Sequence, residues 1–216
     1  MISLLKRKSV TENNSESFYY STVEQAGQAE FKDRGSRFIA YVYPLADVAD
    51  FKEKLAALKK EHPKAVHHCF AYRLGLDSNT FRVSDDGEPS GTAGKPILGQ
   101  IDSKKITNVL IVVVRYFGGT LLGVPGLINA YKTVAALALQ VIPTVAKPVQ
   151  LNYHIQFDYT QMNEVMRVIK HFDCTVHRQE TQLFCSIDAG IPKNRLNEVL
   201  FRLKELRGVD CTVLAT

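Results

Sequence analysis

Two segments of this 216-residue sequence hold side chains whose types and spacing could do chemistry. The first is Ser84-Asp85-Asp86-Gly87-Glu88-Pro89-Ser90-Gly91-Thr92-Ala93-Gly94-Lys95-Pro96. Hard divalent cations want several oxygens from a short bent segment, and neighbouring carboxyls can share acid and base roles. Asp85, Asp86 and Glu88 fit no calcium-loop spacing, however, and a solvated turn with Asx-type hydrogen bonds would use the same residues. The second segment is Arg115-Tyr116-Phe117-Gly118-Gly119-Thr120-Leu121-Leu122-Gly123. Glycine N–H groups ahead of a helix suit an anion, with Arg115 as a bidentate partner. The run matches neither GxxxxGK[ST] nor GxGxxG, and close backbone packing or positive φ would equally call for glycine there. Candidate anion ligands are therefore Arg115, Gly118, Gly119, Gly123, Lys95 and Thr92.

His68, Asp85, Asp86 and Glu88 form a candidate polar cluster, with His68 expected on the side of Arg115 and the acidic turn. His67 and His68 adjoin on a predicted strand, point to opposite faces and cannot readily share a metal, so no metal or cofactor is expected. Cys69 lacks an assured base. The four cysteines form no CxxC pair and read as reduced, buried thiols.

The elements that must position these residues follow from periodicity. Strands are predicted from Phe18 to Val23, over Ala29–Lys32 and over Ser36–Val42, with a turn at Asp33-Arg34-Gly35. Ala46 to Lys60 sets Val48, Phe51, Leu55 and Leu58 on one face of an amphipathic helix. A hairpin follows at His67–Leu74 and Thr80–Val83, then a short helix through Ile97 to Ile101. Asn108 to Val114 is β-branched on both faces, as a central strand should be. Pro125 is placed at N1 of a helix running through Gly126 to Leu139. Two prolines in 143–148 mark a boundary, giving a first domain over 1–142, its first 16 residues outside either period, and a second over 147–216. The second reads strand, helix, strand, strand, helix, strand, the βαββαβ order of a ferredoxin-like domain.

Lys and Arg exceed acids to give a formal net charge of +5, which leans towards polyanions without demanding them. Neither a signal-peptide core nor a membrane span is legible, and a cytoplasmic location is expected.

The run Asn108 to Gly119, with Leu122-Gly123, Gly126-Leu127 and Ala130-Tyr131 after it, resembles the signature of the Impact family. Lys32 to Phe38, His68 to Arg73 and Asp85 to Gly94 support it upstream, in the family's order, over about residues 17 to 140. The tail is similar to the second domain of two-domain bacterial members. The resemblance implies an α+β protein whose first domain is an α/β sandwich, like a small-subunit ribosomal protein domain and domain IV of elongation factor G. It also implies a link to translation, which eukaryotic members regulate. Family members often carry a lysine and an arginine where this chain has Leu121 and Asn129, so two phosphate contacts are missing.

Together these observations predict a translation-linked binding protein contacting RNA, the ribosome or a translation-related protein, and no membrane. The alternative is an enzyme, a hydrolase or phosphoryl-transfer catalyst, using the Asp85–Lys95 loop and the Arg115 glycine turn.

Overall fold

A computed structural model describes residues 17–214 apart from Ser78 and Leu183; the first 16 residues, set apart above, lie outside the described chain. Two compact units emerge, one spanning Tyr20–Lys147 and the other 148–214 with 17–19.

The first unit is built on an antiparallel five-stranded sheet. Its strands are β2 (Gly27–Asp33), β3 (Ser36–Pro44), β4 (His67–Leu74), β5 (Thr80–Ser84) and β6 (Val109–Tyr116), in the order β2-β3-β6-β4-β5. β6, with its run of valines and isoleucine, is buried on both faces at the centre, because only such a strand loses no solvated polar side chain there. Strand alternation then assigns the faces. Phe38, Ala40, Val42, Cys69, Ala71, Ile111 and Val113 pack with α2 (Gly94–Ser103) and α3 (Gly123–Gln140) through Ile97, Ile101, Tyr131 and Val134. Phe70, Tyr72, Leu74, Leu110 and Val112 pack on the opposite side with Phe51 and Leu58 of α1 (Val48–Glu61). Helices on both faces of one sheet make the expected α/β sandwich.

Element ends differ from the sequence reading where capping decides them. The Asp47 side chain accepts the Asp50 N–H at 2.8 Å, so α1 starts at Val48 and not at Ala46. α3 begins at Gly123, which puts Pro125 at its third position rather than its first. The first-turn N–H groups have no intrahelical partner, so proline is tolerated anywhere in that turn. Part of the segment read as a linker is strand β7 (Thr144–Pro148), which pairs with β1 (Tyr19–Val23).

The second unit contains β8 (Gln150–Asp158), α4 (Met162–His171), β9 (Thr175–Glu180), β10 (Phe184–Pro192), α5 (Leu196–Lys204) and β11 (Asp210–Val213). The sheet order β11-β8-β10-β9 inserts the third strand of the unit between its first and second, the ferredoxin-like split βαβ. Tyr153, Ile155, Phe157 and Ile187 face Val165, Ile169, Val199 and Leu203 in its core. Among the described residues no helix is long and apolar enough to cross a membrane.

Candidate functional site

Arg115 sits one residue before the end of β6, and β-pairing brings His67 directly opposite it on β4 and Phe38 opposite it on β3. These three share the face that carries α3. His68 pairs with Val114 and therefore lies on the other face, against the expectation that it would join Arg115. The physical reason is the period of two: with Arg115 paired to His67, the next histidine must point away.

On the shared face Arg115 Nη1 donates to Glu88 Oε1 at 2.6 Å, and the Tyr131 hydroxyl donates to the same oxygen at 2.7 Å. Arg115 and Glu88 are 5% and 8% exposed, so this is a buried ion pair. The guanidinium also lies 5.3 Å from the Phe38 ring centroid and 5.7 Å from that of Phe117. His67 Nδ1 is 2.8 Å from the Asp86 carbonyl, which can only accept, so Nδ1 carries the proton there. His67 Nε2 then faces Glu88 Oε1 at 3.8 Å. Cys69 Sγ lies 3.3 Å from the Tyr131 hydroxyl and 3.0 Å from the Asp85 carbonyl. Burial pushes the Cys69 thiol well above its ordinary range, as it does the Tyr131 phenol, so neither supplies a nucleophilic anion near neutral pH.

Asp85 acts within its own loop. Its carboxylate accepts the N–H of Gly91 at 2.8 Å, Ala93 at 3.0 Å and Gly94 at 2.8 Å. The N-terminus of α2, where an anion would otherwise bind, is thus filled by a carboxylate of the same chain. Burial alone would raise the Asp85 pKa, but the three backbone donors and Lys95 outweigh it and hold the carboxyl below its usual range. These contacts also start α2 at Gly94, earlier than the Ile97 that local pattern suggests. Thr92 is buried and its hydroxyl donates to the Pro89 carbonyl at 2.7 Å, while Lys95 is exposed.

Asp86 serves the other face. Its carboxylate accepts the His68 backbone N–H at 2.7 Å and lies 3.8 Å from Lys59 and 4.0 Å from His68 Nδ1. Burial lowers the His68 pKa, with Asp86 opposing the effect and Lys59 adding to it.

The glycine turn divides. A Cβ on Gly118 would collide with the Gly35 carbonyl and the Ser36 nitrogen, so Gly118 is required by the close approach of the β2–β3 turn. Ser36 Oγ accepts the Gly118 N–H at 3.2 Å and an Arg115 Nη2 donor at 3.4 Å, tying that turn to the buried ion pair. Gly119 and Gly123 are exposed, with φ of +86° and +72°.

The structure therefore gathers Glu88 with Arg115, puts Asp85 and Thr92 into loop closure, and sends Asp86 and His68 to the opposite face. Ser36, His67 and Tyr131 were not among the candidate site residues. His67 was recoverable from strand register alone, whereas Tyr131 and Ser36 reach Glu88 and Arg115 only through the fold. Among the described residues no group of three or more His, Cys, Asp or Glu side chains is arranged to hold a metal ion. The assembled groups neutralise one another in a buried network joining the acidic loop, β4, β6, α3 and the β2–β3 turn.

The chain is similar to known proteins. Residues 34–139 match a family model described as the Impact N-terminal domain. The chain is 34% identical over 182 residues to "IMPACT family member YigZ" of Escherichia coli, covering 83% of this chain and 89% of the relative. It is 32% identical over 188 residues to an "IMPACT family member" of Haemophilus influenzae, covering 86% and 91%. A crystal structure of "an hypothetical protein" superposes with a TM-score of 0.73 at 30% identity, covering 93% of this chain and 98% of the other. The matched segment contains the acidic loop, Arg115, the glycine turn and Tyr131, and with relatives of this similarity aligned over most of their length, the chain belongs to the IMPACT family.

Proposed function

We propose that this protein is a translation-linked binding and regulatory protein of the cytoplasm that contacts RNA, the ribosome or a translation factor through the exposed surface of its first unit. The observation that carries this reading is the state of the residues best suited to chemistry. Arg115, Glu88, Cys69 and Tyr131 are buried and bonded to one another, while the solvent around them meets contact groups such as Lys95, Gly119 and Thr120. The first unit's family resemblance to ribosomal-protein and elongation-factor domains supports the link to translation. Charge agrees: Lys and Arg number 16 against 12 acids over Tyr20–Lys147 and 11 against 10 in the rest of the sequence, so most of the basic excess belongs to the first unit.

Lys60 and Lys64, at and after the end of α1, and Lys95 are exposed cations on that unit. The test is co-sedimentation of the purified chain with ribosomes and with bulk RNA over a salt series. Binding that weakens steadily as salt rises supports phosphate contact, each contact adding roughly 0.7 to 0.9 to the slope of log affinity against log salt. No binding at low salt overturns the reading. A protein partner is favoured by a different observation: Leu121, Val124 and Ile128, at the glycine turn and the start of α3, are 81%, 51% and 38% exposed. Binding to ribosomes that is insensitive to salt would indicate that mode.

A further inference from the structure

From a second concave site, we infer that the first unit binds a guanine base in a pocket lined by Glu30, Arg37, Ile39, Tyr41, His62 and Tyr116. The pocket is an open concavity of about 340 Å³ on the sheet face that carries α1, beside the helix's C-terminal end. That is the low end of the range for small-molecule sites, suited to a base or nucleoside rather than to a peptide. Strand register sets out its groups: Glu30 stands opposite Ile39 across β2 and β3, and Arg37 stands opposite Tyr116 across β3 and β6. Ile39 is 6% exposed and gives an apolar floor between polar walls.

Its donors and acceptors are fixed before any ligand arrives. His62 Nε2 is 2.7 Å from the Tyr41 hydroxyl, and its Nδ1 is 2.8 Å from the Tyr116 hydroxyl. A neutral imidazole has one donor and one acceptor nitrogen, so one phenol donates to it and the other accepts. The accepting phenol keeps its own O–H proton, leaving at least one hydroxyl donor for a ligand. At the rim Arg37 Nη2 donates to Glu30 Oε2 at 2.6 Å, and Lys32 lies 3.3 Å from Glu30 Oε1. The Arg37 hydrogen bond holds the Glu30 carboxyl below its usual range, so it is an acceptor at neutral pH. Both partners are partly solvent-exposed, with side-chain exposures of 49% and 34%, and keep lone pairs and N–H groups free for exchange with a ligand.

A carboxylate beside a guanidinium and a phenolic donor is complementary to guanine, whose N1–H and N2–H₂ donors adjoin the O6 and N7 acceptors. Adenine places an acceptor where guanine has N1–H, so Glu30 would meet a lone pair. Lys32, whose side chain is 72% exposed, stands at the same rim for a phosphate. This base-reading pocket deepens the RNA-contact reading above and rests on it only for the source of the base.

The test is equilibrium binding of GMP, IMP and AMP to the full chain and to its Glu30→Gln, Tyr116→Phe and Arg167→Ala variants, the last an exposed change in the other unit. The expected result is GMP bound about tenfold or more tighter than AMP, with IMP, which lacks the 2-amino group, in between. Glu30→Gln removes most of that preference, Tyr116→Phe weakens binding, and Arg167→Ala changes neither. Equal affinity for the three nucleotides, no binding, or a preference that survives Glu30→Gln overturns the inference. Short single-stranded RNAs with and without guanine identify the source: a matching preference places the base in RNA, and its absence beside GMP binding assigns the pocket to a free nucleotide. Co-sedimentation with ribosomes without GMP preference would defeat this inference and leave the proposed function standing.

Discussion

Glu88 and Arg115 show how a residue suited to chemistry can be committed to architecture. Two charges removed from water are costly, and their attraction compensates only in part unless hydrogen bonds satisfy the remaining groups; Tyr131 and Ser36 supply two such bonds, while Arg115 Nε is buried without a partner among the described residues. Removing one partner leaves the other buried and uncompensated. Arg115→Ala and Glu88→Ala are each expected to lower unfolding free energy by about 3–5 kcal/mol in urea titrations. Arg115→Lys, which lacks the planar fork, should recover only part of the loss. An Arg115→Ala variant within 1 kcal/mol or so of the parent would refute the architectural role. His68 provides a second check. Its folded pKa lies below the 6.5 of an unfolded histidine, so the unfolded chain takes up the proton first as pH falls. Its contribution is complete above about pH 6.5 and declines below that, down through the folded pKa. The loss of stability between pH 7.5 and 5.5 should be smaller in His68→Leu than in the parent; equal losses would exclude His68 as its source. Asp85, Glu88 and Arg115 were all legible in the sequence as unusual residues. What each one does was not, because turn chemistry, helix capping and a buried ion pair draw on the same residue types.

At the scale of elements, the central strand, the amphipathic helices and the βαββαβ order could be read from periodicity, since β6 and α1 carry strong and different periods. Boundaries set by long-range contacts could not. α2 starts where the Asp85 carboxylate caps it, and β7 exists because β1 is there to pair with it. Gly118 and Gly119 separate the roles that sequence left open, and Gly99 serves as a reference inside a helix. Gly118→Ala should cost about 1–3 kcal/mol or more through collision with the β2–β3 turn. Gly119→Ala meets no atom within 4 Å and should cost about 1–2 kcal/mol through its positive φ alone. Gly99→Ala, inside α2 with open space around it, should stabilise by about 0.5–1 kcal/mol. Thermal unfolding of the three variants ranks them, and equal shifts for Gly118→Ala and Gly119→Ala would remove the packing explanation.

For the whole molecule, the division into two compact units separates the basic excess from the nearly neutral tail. The ferredoxin-like unit turns the aromatic side chains of β8, Tyr153 and Phe157, into its core. That leaves Asn152, His154 and Gln156 in the alternate positions, with His154 bonded to Asp188 at 2.6 Å. Such a strand offers no aromatic stacking platform, in keeping with the proposal that contact is made through the first unit. The most direct measurement is ribosome co-sedimentation at low salt of the parent and of a Lys60→Ala, Lys64→Ala, Lys95→Ala variant, with unfolding curves recorded on both. The account predicts unchanged stability, weaker binding and a shallower salt dependence in the variant. Binding by the variant that equals the parent's at every salt concentration would contradict a basic first-unit surface as the point of contact.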